Sequence, residues 1–176
     1  MSYSAAAVPR RSLHSIDSNA AVMIRGSSSP AGAAWPTAGL AIYVPVIVPR
    51  AIIVKRLWYA NGNTATGNYD IGLYDASGAA IVRRGSTAKN TTPGEAVWDC
   101  TDTTIGPGLY YLALSCSNNT DTFYRWTPTV PVATANGLLT ETSAMPLPTT
   151  ATFAITQSLA YLPVLGLLTN AAAVTI

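Results

Sequence analysis

The sequence predicts an all-β fold, a jelly-roll-like β-sandwich of about eight antiparallel strands with extended N-terminal and C-terminal segments. Three observations predict it. Residues 51–127 alternate short runs rich in Val, Ile, Tyr, Trp and Thr with Gly, Asn, Asp and Ser turns, the pattern of consecutive antiparallel strands. Within residues 68–75, Tyr69, Ile71 and Leu73 share one parity while Asn68, Asp70 and Gly72 share the other, with Tyr74 joining the second set. A period of two means one buried and one exposed face. No stretch of three helical turns carries a convincing apolar stripe. Two sheets packed face to face bury both inner faces. A lipocalin-like barrel is the alternative, and the prolines and long connections at each end fit it less well.

The chain divides into an extended arm at 1–36, a sandwich at 37–157 and an apolar strand or arm at 158–176. The arm holds Arg10, Arg11 and Arg25 and a Ser27, Ser28, Ser29, Pro30, Gly32 linker. Residues 40–48 carry Pro45, so they form an edge strand or a strand broken there. Residues 51–59 follow, where Lys55 and Arg56 stand side by side and one must face the sheet or snorkel at its margin. Residues 68–75 and 79–83 flank a turn at Asp75-Ala76-Ser77-Gly78. After a polar loop at 89–94, residues 95–101 place Ala96, Trp98 and Cys100 opposite Val97 and Asp99. A turn at Gly106-Pro107-Gly108 leads to residues 109–116, with Tyr110, Leu112, Leu114 and Cys116 as the core face. Residues 123–127 complete the run. Residues 129–148 read as an irregular connection, 151–156 as a last strand, and 159–168 as an apolar run interrupted by Pro163 and Gly166. The expected core includes Ile71, Leu73, Val97 or Trp98, Leu112 and Leu114.

Charged residues are 10% of the chain and hydrophobic residues 49%, against about 25% charged in ordinary globular proteins. Such a surface suits a chain covered by neighbours better than one free at high concentration. The net charge of +2 is too small to argue for nucleic-acid binding. No unbroken apolar core of a signal peptide follows Arg10 and Arg11. Residues 158–176 approach the length of a membrane span, but Pro163, Gly166, Thr169 and Asn170 interrupt them and no basic flank follows, so no span is expected. If residues 95–101 and 109–116 form a hairpin, Cys100 faces Leu112 and not Cys116. Two buried free thiols are therefore expected, with a single disulfide as the alternative.

Catalytic chemistry finds little to work with. The sole histidine, His14, lies in the irregular arm, where no catalytic role is expected of it. One histidine and two separated cysteines make a poor zinc set. The acids fall mostly at turns, where they bond their own backbone, although turn carboxylates leave calcium open as an alternative. No phosphate-cradling glycine motif occurs. No catalytic, cofactor-binding or metal residue is assigned, and the chain is read as a non-enzyme. The aromatics Trp58, Tyr59, Trp98, Tyr110, Tyr111, Tyr124 and Trp126 sit in strands, and one of each adjacent pair faces away from the core. An outward ring suits either a stacked sugar or a protein interface. The candidate interface set is Arg10, Arg11, Arg25, Tyr59, Arg83, Arg84, Tyr111, Tyr161 and Leu165.

The segments GNYDIGLYDASGAAIVRRGSTA and PGLYYLALSCSNNTDTFYRW resemble the small β-sandwich structural proteins of tailed bacteriophages, over about a third of the chain. The same GLYDxxG hairpin also occurs in carbohydrate-binding sandwiches. The resemblance implies a virion component made in the bacterial host cytoplasm. It would be a capsid decoration or cement protein, or alternatively a tail, baseplate or fibre-associated one. Its expected partners are the major capsid protein or tail proteins of the same particle and other copies of itself. A carbohydrate-binding module recognising a surface carbohydrate is the remaining alternative.

Overall fold

The computed structural model of the protein describes residues 15–16, 21–23, 29–153 and 159–169. Two antiparallel sheets pack face to face, an all-β sandwich. The first sheet contains β1 (Ser15–Ile16), β2 (Ala21–Met23), β3 (Ala31–Ala34), β5 (Ile52–Asn61), β9 (Gly94–Ile105), β11 (Thr122–Trp126), β13 (Leu162–Pro163) and β14 (Leu165–Leu168). The second contains β4 (Ala41–Val48), β6 (Asn68–Asp75), β7 (Ala80–Arg83), β8 (Thr87–Ala88), β10 (Gly108–Cys116) and β12 (Leu139–Glu141). Along the described strands the chain passes from one sheet to the other between β3 and β4, β4 and β5, β5 and β6, β8 and β9, β9 and β10, β10 and β11, β11 and β12, and β12 and β13. One short helix, α1 (Val130–Ala135), closes the route from β11 to β12, with Ala133 buried. Proline in its first turn suits it, because those N–H groups have no helical acceptor.

The inner faces follow the alternation. Tyr69, Ile71 and Leu73 of β6 and Leu112, Leu114 and Cys116 of β10 join Leu57, Tyr59, Leu165 and Leu167 in the main core. Trp35 is 1% exposed and meets the rings of Phe123 at 5.1 Å and Tyr161 at 5.4 Å. Its indole N–H donates to Leu40 O at 3.0 Å.

The outer face of the second sheet departs from expectation, because it too is buried. Tyr43, Tyr74, Ala113, Ala144, Leu147 and Ala151 form a second apolar cluster there. Residues 139–153 cross that face as a strap. Leu147 N–H donates to Asp70 Oδ2 at 3.0 Å, Tyr74 donates to Pro148 O and Arg83 to Leu147 O. Glu141 Oε2 accepts from Tyr43 Oη at 2.9 Å and from Thr152 N–H at 3.0 Å. Residues 129–148, read as irregular, thus supply α1, β12 and most of this cover. Residues 151–153 form no strand; the rest of the strand expected at 151–156 lies outside the described residues.

One further expectation is decided between its alternatives and three change. β4 runs unbroken through Pro45, and β12 reaches only as far as Tyr43 along it, so the stretch with Pro45 is an edge where a missing N–H is tolerated. A β-bulge between Val54 and Arg56 relieves the two adjacent cations, and Lys55 pairs with Asp102 at 2.9 Å while Arg56 reaches Asp99 at 3.5 Å. β9 and β10 do not form a hairpin ladder: β9 pairs with β5 and β10 with β4 and β6. Cys100 and Cys116 are free and buried, separated by lying in different sheets and not by register. The terminal boundaries also move. β3 pairs with β11, so the sandwich begins before residue 37. β14 lies between β2 and β5, so of the strand and arm alternatives residues 165–168 take the strand, inside the first sheet.

Candidate functional site

The strand directions give the sandwich two unlike ends. At one end, Asn61 lies opposite Gly94 and Phe123, and Cys116 opposite Tyr69. The loops 62–67, 89–93 and 117–121 gather there, rich in Thr and Asn. Asp121, fully buried, knits them together. Its Oδ1 accepts from Thr66 N–H at 2.6 Å and Thr66 Oγ1 at 3.1 Å, and its Oδ2 from Gly67 N–H at 3.2 Å. Burial alone would raise its pKa, but these hydrogen bonds together outweigh it and hold the carboxyl below the usual aspartate range. Lys89, 7% exposed, donates to Thr64 O at 2.8 Å and to Gly62 O and Asn90 O at 3.4 Å. Its ammonium also stands 5.0 Å from the Phe123 ring centroid. Desolvation lowers its pKa, partly opposed by Asp121. Asn61 Nδ2 donates to Asn90 Oδ1 and Thr92 O, both at 2.7 Å.

Beside this network an open groove of about 260 Å³ is lined by Gly32, Gly62, Asn63, Pro93, Thr122 and Tyr124. Gly62 is required: a Cβ there would sit 2.6 Å from Thr122 O. Gly32, cross-strand from Tyr124, faces open space.

The opposite end carries exposed aliphatic side chains around one exposed cation, Arg50. Val48 pairs with Gly108 in one sheet, and Ile52 with Ile105 in the other. The crossovers at 49–51 and 106–107 therefore lie side by side. Ile47 and Leu109 are direct cross-strand neighbours on the outer face, 59% and 40% exposed, and Ile53 is 46% exposed. Pro49, Ala51 and Pro107 around them are exposed as well.

The candidate interface residues do not form one surface. Tyr59 is core, against Tyr69 at 4.7 Å and Phe123 at 5.6 Å. Tyr161 is core and donates to Ala33 O at 3.2 Å; Leu165 is fully buried in β14. Their apolar surface is spent inside the sandwich, which removes them as contact residues of the free surface. Tyr111 does face outward, but it is half-buried under the strap beside Phe153 at 4.5 Å. Arg83 anchors the strap, and Arg84 stands 5.3 Å over the Tyr69 ring and donates to Thr87 Oγ1. Both are half-buried. Arg10, Arg11 and Arg25 lie outside the described residues.

Sequence reasoning missed Lys89 and Asp121 as a pair. Asp121 had a signal in the Asn118-Asn119-Thr120-Asp121 turn, but Lys89 had none, because a lone lysine in a polar loop reads as solvated. Among the described residues no group of His, Cys, Asp and Glu could hold a metal ion, and no helix is long and apolar enough to cross a membrane. No family model, curated protein or solved structure matches the chain.

Proposed function

We propose that this chain is a non-enzymatic structural protein of a bacteriophage particle, a decoration or cement protein that stabilises the shell. The observation that carries the reading is the exposed aliphatic pair of Ile47 and Leu109 at one end of the sandwich. Large aliphatic side chains paired across two strands and left in water favour a protein partner. Their position opposite a Thr- and Asn-rich end gives the molecule a side to dock and a side to display. The scarcity of charge and the resemblance of residues 67–88 and 108–115 to phage structural proteins support the same reading. Stabilisation follows from mass action: a protein that binds the assembled shell and not its dissociated subunits shifts the equilibrium toward assembly.

The test is co-sedimentation of the purified protein with emptied phage heads. Ile47→Asp with Leu109→Asp leaves the fold intact, since both side chains are exposed, and is expected to abolish attachment. Full attachment by that variant, or no attachment by the unmodified chain, refutes the reading. Attachment to isolated tails and not to heads would refute the shell role and make the protein a tail component.

A further inference from the structure

We propose that the groove at the polar end is a binding site for a neutral sugar, with Tyr124 as stacking platform and the Asn63 amide as hydrogen-bonding rim. The inference is independent of where the protein sits on a particle. The lining carries no charge, and the nearest buried ions do not supply one. Lys89 is committed to Gly62 O, Thr64 O and Asn90 O, and Asp121 to Thr66 and Gly67. An anion or cation therefore gains nothing there, whereas a polyhydroxylated ring needs what the groove offers.

Tyr124 is half-buried against the main core, leaving part of its ring at the groove, and among the described residues its hydroxyl has no protein partner. Asn63 Oδ1 accepts weakly from Thr64 Oγ1 at 3.5 Å and Thr122 Oγ1 at 3.4 Å, while its amide nitrogen is uncommitted among the described residues. One flat ring, one free amide donor and one free hydroxyl converge on a space of about 260 Å³. An apolar face with a few placed polar groups is the usual composition of a small-molecule site, and a pyranose has an apolar C–H face and a hydroxyl edge to match it. Gly32 keeps the space open. Its backbone has no left-handed requirement and a Cβ would meet nothing within 4 Å, so no packing constraint demands glycine at this strand position.

That last point supplies the decisive variant. Gly32→Val puts a β-branched residue, favourable in a strand, into open space beside Tyr124. The full-length chain is titrated with glucose, galactose, mannose and N-acetylglucosamine and with short oligomers of each, using saturation-transfer NMR and calorimetry. At least one probe is expected to bind, with Tyr124→Ala and Gly32→Val each weakening it by about tenfold or more and Asn63→Ala by less. Thermal melts of Gly32→Val are expected to match the unmodified protein, so lost binding reports a filled groove and not lost folding. No saturation transfer from any probe at about 10 mM, a concentration that would reveal even millimolar affinity, overturns the proposal. So does binding that Gly32→Val and Tyr124→Ala leave unchanged. Failure of this site leaves the exposed aliphatic pair and its sedimentation test untouched.

Discussion

At Asp70 and Asp121 the same residue type is pushed in opposite directions. Burial dominates at Asp70 and raises its pKa, despite the Leu147 and Gly85 N–H groups and the nearby Arg83. Its contribution to stability is full below the unfolded aspartate value of about 3.9 and is lost as pH rises through the raised folded value. Asp121 has the opposite sign: its contribution is full above about pH 4 and is lost as pH falls through its lowered folded value. Asp121→Asn is therefore expected to flatten the acid limb of a melting-temperature profile below about pH 4, and an unchanged slope would contradict the assignment. Thiol chemistry gives a second check at this scale. Burial pushes Cys116 up to about 11 and also raises Cys100, so little thiolate exists at neutral pH. A thiol reagent is expected to modify neither cysteine in the native protein and both after denaturation. Parity placed Asp70 away from the core correctly. Its burial was illegible, because the strap that covers it is more than 70 residues away and lacks a strand pattern.

Among the elements, β6 and β10 were the most legible, since their inner residues alternate cleanly and both faces read as strand. Leu112 is fully buried, and Leu112→Ala is expected to cost about 2–5 kcal/mol in chemical denaturation. The strap was the least legible element, being held by side-chain-to-backbone bonds that leave no periodicity. Asp70→Ala removes the acceptor of both Leu147 N–H and Gly85 N–H, and an unsatisfied buried donor costs about 1–3 kcal/mol. Limited proteolysis is expected to cut that variant within residues 142–150 while the sandwich core stays protected; cleavage no faster than in the unmodified protein would deny the strap its anchor. The bulge in β5 had a signal in the adjacent Lys55 and Arg56, which a regular strand cannot send to the same side. Sheet order had none. Strands 109–116 and 95–101 looked like hairpin partners because they adjoin in sequence, but the turn between them changes sheets.

For the molecule as a whole, the two chemically different ends were not visible in sequence, because each gathers loops from distant positions. The terminal arms were overestimated for a related reason: small residues in β3 and the Pro163 and Gly166 interruptions read as irregular, yet their backbones complete the first sheet. Removing residues 159–176 takes away Leu165 and Leu167, both fully buried, and is expected to abolish the cooperative melt and the β signal in circular dichroism. A truncated chain that melts cooperatively near the original temperature would show that β14 is dispensable.

The placement of β14 between β2 and β5 also constrains when the protein can form. Translation delivers β5 about a hundred residues before the strand that lies beside it, and β2 waits longer still. Until β14 has emerged, one side of β5 stays open and the apolar surface meant for Leu165 and Leu167 has no occupant. Pairing over such separations is slow, and unpaired strand edges invite association between nascent chains. The first sheet can close only after residues 165–168 have left the exit tunnel, so the emergence of β14 is the step that commits the sheet to its fold.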